Sequence, residues 1–134
     1  MRIAIIGAGA IGSALAAGIA RTGADVTLVA RGQRLTLLRA APVRIISDSG
    51  PWEQAVPTLA ADDLTGPVDL AIVCVKTPDL PGALTALRGK LAAHGTVLTL
   101  QNGVEAPELA AAILPDAAIV AGRMHGFFEL EGDA

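Results

Sequence analysis

Three glycines near the start of the chain have a spacing that suits phosphate binding. The hexapeptide at residues 7–12 consists of Gly7, Ala8, Gly9, Ala10, Ile11 and Gly12. In a strand–turn–helix unit the first glycine permits a tight turn, the second lets a pyrophosphate approach the backbone, and the third lets the helix pack closely. Unpaired amides and the helix dipole favour negative charge at that helix start. The hexapeptide therefore predicts a dinucleotide site, with a purely structural glycine turn as the alternative.

Arg31 is the candidate for cofactor selection. It ends the second predicted strand, about 20 residues after the glycines, where NAD-preferring sites place an acidic residue for the ribose 2′-hydroxyl. A guanidinium instead matches a 2′-phosphate, and Arg34 adds positive charge nearby. Asp25 comes too early for the acidic role. We predict NADP(H) as the cofactor, with a solvated surface arginine as the alternative.

Lys76 and Asn102 are candidates for the reactive end of the cofactor. Lys76 is the first charged residue after the apolar run 68–75, and Asn102 follows the predicted strand 96–100. In open α/β sheets, ligands bind at the carboxyl ends of the strands. We therefore expect both side chains beside the cofactor, the alternatives being a solvated loop lysine and an ordinary Asn-Gly turn.

Alternating strands and helices must position these residues. Apolar runs predict the strands, and apolar residues at helical spacing predict the helices. The predicted strands are 3–6, 26–30, 43–46, 52–56, 68–75, 96–100, 117–121 and 127–130, where 43–46 and 52–56 form a hairpin and 127–130 an edge strand. Four helices are predicted. The first carries Ile11, Leu15, Gly18 and Ile19 on one face, and the second spans 33–41. The third begins at 78–81, carries Leu80, Leu84, Leu87 and Leu91 on one face and stops at His94-Gly95, and the fourth spans 105–114. This order predicts a doubly wound, mostly parallel α/β sheet of the Rossmann type, with residues 1–134 as one domain.

Composition restricts the class of protein. The chain is 52% hydrophobic and 17% charged, which is typical of a globular protein. A net charge of −3 without a basic stripe argues against nucleic acid, and no apolar run approaches the roughly 20 residues that span a membrane. The lone Cys74 is expected to be a small buried hydrophobe. We predict no metal site, no signal peptide before the first strand, and a cytoplasmic location.

Four ordered motifs, GAGAIG, VTLVARG, VCVKT and LQNGVE, resemble the ketopantoate reductase (2-dehydropantoate 2-reductase) family from residue 1 to about residue 122. The resemblance implies that residues 7–12 hold the pyrophosphate and Arg31 the 2′-phosphate of NADPH. It places Lys76 and Asn102 near the nicotinamide ribose and the substrate carbonyl, where they position and polarise. The family transfers a hydride from NADPH to a small 2-keto acid, ketopantoate, and yields pantoate for coenzyme A synthesis.

The family's second, helical domain supplies a lysine general acid and most substrate contacts, and no segment of these 134 residues matches it. Ketone reduction needs a proton donor, so we expect the main acid in that domain and little turnover from this chain alone. His94, in a predicted helix-ending turn, and His125, which the resemblance places close to where the family approaches the nicotinamide, are candidates by type only.

Two other functions stay open. One is a non-catalytic NADP-binding or partner-docking module, in which Phe127 and Phe128 form edge-strand core, a homodimer contact or a surface for the helical domain. The other is an NADP-dependent dehydrogenase of a different 2-keto or hydroxy acid.

Overall fold

A computed structural model gives the structure of the chain and describes residues 1–101 and 105–123. The strands β1 to β8 are, in chain order, Arg2–Ile6, Asp25–Val29, Val43–Ser47, Gly50–Gln54, Thr58–Leu59, Val68–Val73, Leu91–Thr99 and Ala118–Ala121. The helices α1 to α4 are Ala10–Arg21, Gly32–Ala40, Leu80–Ala86 and Glu105–Ile113. Asn102, His125 and the predicted edge strand 127–130 lie outside the described residues.

Six strands form one parallel sheet in the order β5-β2-β1-β6-β7-β8. The chain moves outward from β1 to β2 and β5, then returns to the other side of β1 at β6. This reversal creates a switch point between β1 and β6, where ligands of open α/β sheets bind. The predicted doubly wound, mostly parallel sheet is confirmed.

Apolar residues cover both faces of the sheet. Within β1, Ala4 and Ile6 belong to a core cluster that includes Leu84 of α3, whereas Ile5 belongs to a second cluster that includes Ala16 of α1. Successive strand residues point to opposite faces, so helices pack on each side. This two-sided burial explains why residues 3–6 of β1 and 70–73 of β6 read as continuous apolar runs.

Helix α1 buries a different face from the predicted one. Its buried residues are small (Gly12, Ser13, Ala16 and Ala17), while Ile11, Leu15 and Ile19 are half-buried and Gly18 is exposed. Small side chains let α1 approach the sheet closely, and the larger residues then pack around the edge of that contact.

The predicted hairpin is confirmed as an antiparallel pair, in which Ile45 of β3 lies opposite Trp52 of β4. It forms a separate two-stranded sheet. The Arg21 guanidinium lies 4.5 Å from the centre of the Trp52 ring, so this aromatic packs on the end of α1. Strand β5 is only two residues long, too short to produce an alternation pattern in the sequence.

The predicted helix from residues 78–81 to His94 is wrong in its second half. Helix α3 ends at Ala86, and Gly89 then adopts a left-handed conformation with φ +76°. Leu91 begins β7 and pairs with Val68 of β6. The leucine spacing resembled a helix because Leu84 and Leu87 are core residues on either side of the helix end, whereas Leu91 reaches the core from a strand.

Candidate functional site

The loops that follow β1, β2, β6 and β7 meet at one edge of the sheet, because these strands are parallel. A cleft of about 440 Å³ opens there, lined among others by Ile11 at the start of α1, Lys76 after β6 and Gln101 after β7. We call it the carboxyl-edge cleft. Lys76 and Ile11, a residue of the glycine-rich hexapeptide, therefore lie in the wall of one cleft.

The glycines of residues 7–12 meet three different surroundings. Gly7 has φ +110°, and a Cβ atom there would lie 2.9 Å from Cγ1 of Val75. A Cβ atom on Gly12 would overlap the carbonyl oxygen of Gly7. A Cβ atom on Gly9 would meet no atom of residues 1–101 and 105–123 within 4 Å. Gly7 and Gly12 are therefore required by the packing of the turn, whereas the described residues leave the space beside Gly9 open.

Helix α1 begins beside that space with its backbone amides uncapped. Gly9 is the N-cap residue, and within the described helix no side chain makes a capping hydrogen bond and no acidic residue occupies the first turn. The first amides of a helix lack intrahelical partners and carry partial positive charge. This helix start therefore favours an anion.

Arg34 of α2 forms hydrogen bonds to both the glycine turn and α1. Its Nε donates to the carbonyl oxygen of Ala8 at 2.9 Å, and its Nη2 donates to Oγ of Ser13 at 2.9 Å. The Ser13 hydroxyl, which is buried, donates to the same Ala8 oxygen at 3.0 Å. Partial burial lowers the pKa of Arg34, because desolvation disfavours the charged form. The sequence indicated only an additional positive charge here; no local pattern signals this contact.

Arg31 lies between β2 and α2 with an exposed side chain. Its Nη2 is 3.0 Å from Oδ2 of Asp79, which belongs to the 3₁₀ turn Thr77–Asp79 after β6. The ion pair therefore joins the loops after β2 and β6, the two neighbours of β1. Sequence reasoning missed Asp79, because a Pro-Asp-Leu-Pro run reads as an ordinary helix start.

Gln101 ties the end of β7 to the end of β6. Its Nε2 donates to the carbonyl oxygens of Val73 at 3.1 Å and Val75 at 2.7 Å, immediately before Lys76. Its Oε1 is buried and has no hydrogen-bond partner among the residues that the structure describes. Gln101 thus supports the backbone that carries Lys76.

His94 and Cys74 do not join the candidate chemistry. His94 lies in the amino-terminal half of β7, so it is remote from the carboxyl end of that strand and not in the predicted helix-ending turn. Cys74 is half-buried in the wall of the cleft, less enclosed than the predicted buried hydrophobe. Burial still raises the pKa of its thiol to about 12. The thiol is therefore neutral near pH 7, in keeping with a small apolar residue.

Residues 1–101 and 105–123 contain no group of three or more His, Cys, Asp or Glu side chains able to hold a metal ion. They also contain no helix long and apolar enough to cross a membrane.

Comparisons with known proteins give a consistent picture. A family model described as ketopantoate reductase PanE/ApbA matches residues 3–134. A 2-dehydropantoate 2-reductase from Mesorhizobium japonicum is 38% identical over 105 residues, which are 78% of this chain and 32% of that protein. One from Pyrococcus horikoshii is 33% identical over 78% of this chain and 34% of its own length.

Two solved structures superimpose on this chain over most of its length. A PanE/ApbA family ketopantoate reductase from Ralstonia eutropha JMP134 superimposes with a TM-score of 0.82 at 34% identity, covering 90% of this chain and 40% of that one. A D-mandelate dehydrogenase solved with NADH and anilino(oxo)acetate reaches a TM-score of 0.89 over 99% of this chain and 44% of its own, at 24% identity, which shows the fold alone. The chain spans about a third of the length of the two sequence relatives.

Proposed function

The chain belongs to the ketopantoate reductase PanE/ApbA family, and from that premise we propose that residues 1–134 are the NADPH-binding domain of a cytoplasmic reductase that converts ketopantoate to pantoate. The observation that carries the proposal is the open space at Gly9, beside the uncapped start of α1 and between the loops of Arg31 and Lys76. The family match favours this function over a non-catalytic module.

The residues present fit a dinucleotide. The space at Gly9 accepts a pyrophosphate on the first amides of α1, and Arg34 holds the turn in the shape that leaves this space. Arg31, after β2, is placed to receive a 2′-phosphate on its guanidinium, because a planar fork matches phosphate oxygens. NADPH, when bound, supplies the hydride for the keto carbon.

Lys76 and Asn102 have supporting roles in this proposal. The ammonium group of Lys76, at the carboxyl-edge cleft, polarises the substrate carbonyl electrostatically. Asn102, next to Gln101 in sequence, orients the nicotinamide ribose and the keto group. We assign the main proton donor to a region outside residues 1–134, so this chain alone is expected to bind the cofactor with negligible turnover.

Calorimetric titration of the chain with NADPH and NADH tests the proposal. We expect NADPH to bind more tightly than NADH. Arg31→Ala should weaken NADPH binding about tenfold or more, as for a lost hydrogen-bonded charge pair, and should leave NADH binding nearly unchanged. Arg44→Ala is the matched control, because it removes an equal charge from the exposed face of the hairpin. An Arg31→Ala variant that binds NADPH as tightly as the parent chain does would overturn the assignment of Arg31.

A further inference from the structure

We propose that Asp79 is a specificity-determining residue, whose carboxylate competes with the 2′-phosphate of NADPH for Arg31 and so moderates the preference for NADPH over NADH. The inference rests on the proposed function, in which Arg31 receives that phosphate. Asp79 Oδ2 and Arg31 Nη2 are 3.0 Å apart. A phosphate that used the N–H donor facing Asp79 would have to displace the carboxylate, and one that used a neighbouring donor of the guanidinium would lie close to that negative charge.

The two partners differ in how firmly they are held. Asp79 ends a 3₁₀ turn in which its own backbone N–H donates to the Lys76 carbonyl oxygen at 2.9 Å, and the next residue, Leu80, is buried in the core. The Arg31 side chain is 83% exposed. The backbone of Asp79 is therefore held in place and keeps its carboxylate near the loops that follow β2 and β6. The more exposed guanidinium is free to turn from one anion to another.

Solvent exposure makes the pair exchangeable. The Asp79 side chain is 41% exposed, and ion pairs in contact with water contribute little to stability. Asp79 also makes no capping hydrogen bond to α3, so the helix does not need its carboxylate. Breaking the pair is therefore easy, but the displaced carboxylate stays close to the incoming phosphate and repels it.

NADH has no charge at the same position of its ribose. Its 2′-hydroxyl is a hydrogen-bond donor, and NAD-preferring sites bind that hydroxyl with a carboxylate. Asp79 supplies a carboxylate beside Arg31, although from the loop after β6 instead of the end of β2. The Asp79 carboxylate therefore opposes the binding of NADPH without opposing that of NADH. The balance between Arg31 and Asp79 sets the ratio of the two affinities.

The test is calorimetric titration of Asp79→Asn with both nucleotides. We expect the ratio of the NADH to the NADPH dissociation constant to rise about three- to tenfold, as for one unit charge removed near a phosphate. Asp63→Asn is the matched control, because Asp63 forms another exposed ion pair, with Arg39 at 3.8 Å, outside these loops. Asp79→Ser provides a second variant without the charge.

A double-mutant cycle separates this inference from the proposed function. In an Arg31→Ala background, Asp79→Asn should change the ratio less than it does in the parent chain. If Arg31→Ala removes the NADPH preference and Asp79→Asn leaves the ratio unchanged or lowers it, the inference alone is wrong. If Arg31→Ala leaves the NADPH preference intact, the proposed function fails first, and this inference falls with it.

Discussion

Gly12 lies so close to Gly7 that a Cβ atom on Gly12 would overlap the Gly7 carbonyl oxygen. The contact is between backbone and backbone, so no side-chain rotation can relieve it. Helix α1 therefore sits directly against the turn that follows β1. This packing requires the last glycine of the motif even when no ligand is bound.

Gly12→Ala should lower the free energy of unfolding by about 1–3 kcal/mol or more, because overpacking forces the backbone to shift. Gly18→Ala, in the same helix, is the control: apart from the adjacent backbone of α1, its Cβ atom would meet no atom of the described residues within 4 Å. Helix propensity should therefore stabilise this variant by up to about 1 kcal/mol. Urea denaturation of both variants measures the difference. A Gly12→Ala variant as stable as the parent would contradict the packing.

Gly9→Ala should separate binding from folding. Gly9 has φ −72° and ψ −165°, a conformation that alanine adopts, and its Cβ atom would face open space. We expect a change in unfolding free energy within about 0.5 kcal/mol, the usual range for such surface changes. Affinity for NADPH and for NADH should both fall about tenfold or more, because a methyl group blocks the approach of the pyrophosphate. Unchanged affinity for both nucleotides would place the phosphates elsewhere.

These glycines illustrate how far local sequence predicts the structure. Local patterns predict the strand–turn–helix unit around residues 7–12, through the glycine spacing, and the buried β6, through its apolar run. The end of α3 was not, since leucines at 84, 87 and 91 fit a helix and only the left-handed Gly89 interrupts it. Apolar spacing records burial, and a helix followed by a strand can bury the same residues.

Long-range side-chain contacts are the part of the site that the sequence does not predict. Arg34 reaches Ala8 across 26 residues, and Gln101 reaches Val75 across 26 residues. Neither contact leaves a periodic signal, because each depends on how parallel strands bring distant loops together. The sequence thus predicts which loops meet at the carboxyl-edge cleft, and the structure shows how they are fastened.

Arg34→Lys should lower the affinities for NADPH and for NADH to a similar extent. Lysine keeps the charge but lacks the planar fork that bonds Ala8 and Ser13 together. We expect the free energy of unfolding to fall by about 1–2 kcal/mol, in the range for a lost hydrogen bond to a charged group. Calorimetry should show parallel losses for NADPH and NADH, unlike the NADPH-selective loss from Arg31→Ala. A selective loss would mean that Arg34 contacts the 2′-phosphate itself.

Gln101→Glu tests the tie between β7 and β6. The substitution replaces the donor Nε2 with an oxygen that faces the carbonyl oxygens of Val73 and Val75. We expect the free energy of unfolding to fall by about 1–3 kcal/mol at pH 7, because buried acceptors lose their partner. Gln54→Glu, in the hairpin, is the control, since the Gln54 side chain donates to the carbonyl oxygen of the neighbouring Ala55 and so joins no two separate strands. Equal stability of the two variants in thermal unfolding would contradict the tie.

Cys74 should make the stability of the chain depend on pH in the alkaline range. Burial raises its pKa from 9.0 to about 12, so above pH 9 the thiol of the unfolded chain loses its proton while the folded chain keeps it. Stability rises with pH only where the unfolded state binds more protons. Here the folded state binds more protons, so the contribution to stability is complete below pH 9 and is lost as the pH rises toward 12.

Cys74→Ala removes this titration but leaves every lysine and arginine in place. Urea denaturation from pH 8 to pH 10.5 should therefore show a steeper decline for the parent than for Cys74→Ala, and parallel declines would show that the thiol titrates normally in the folded chain.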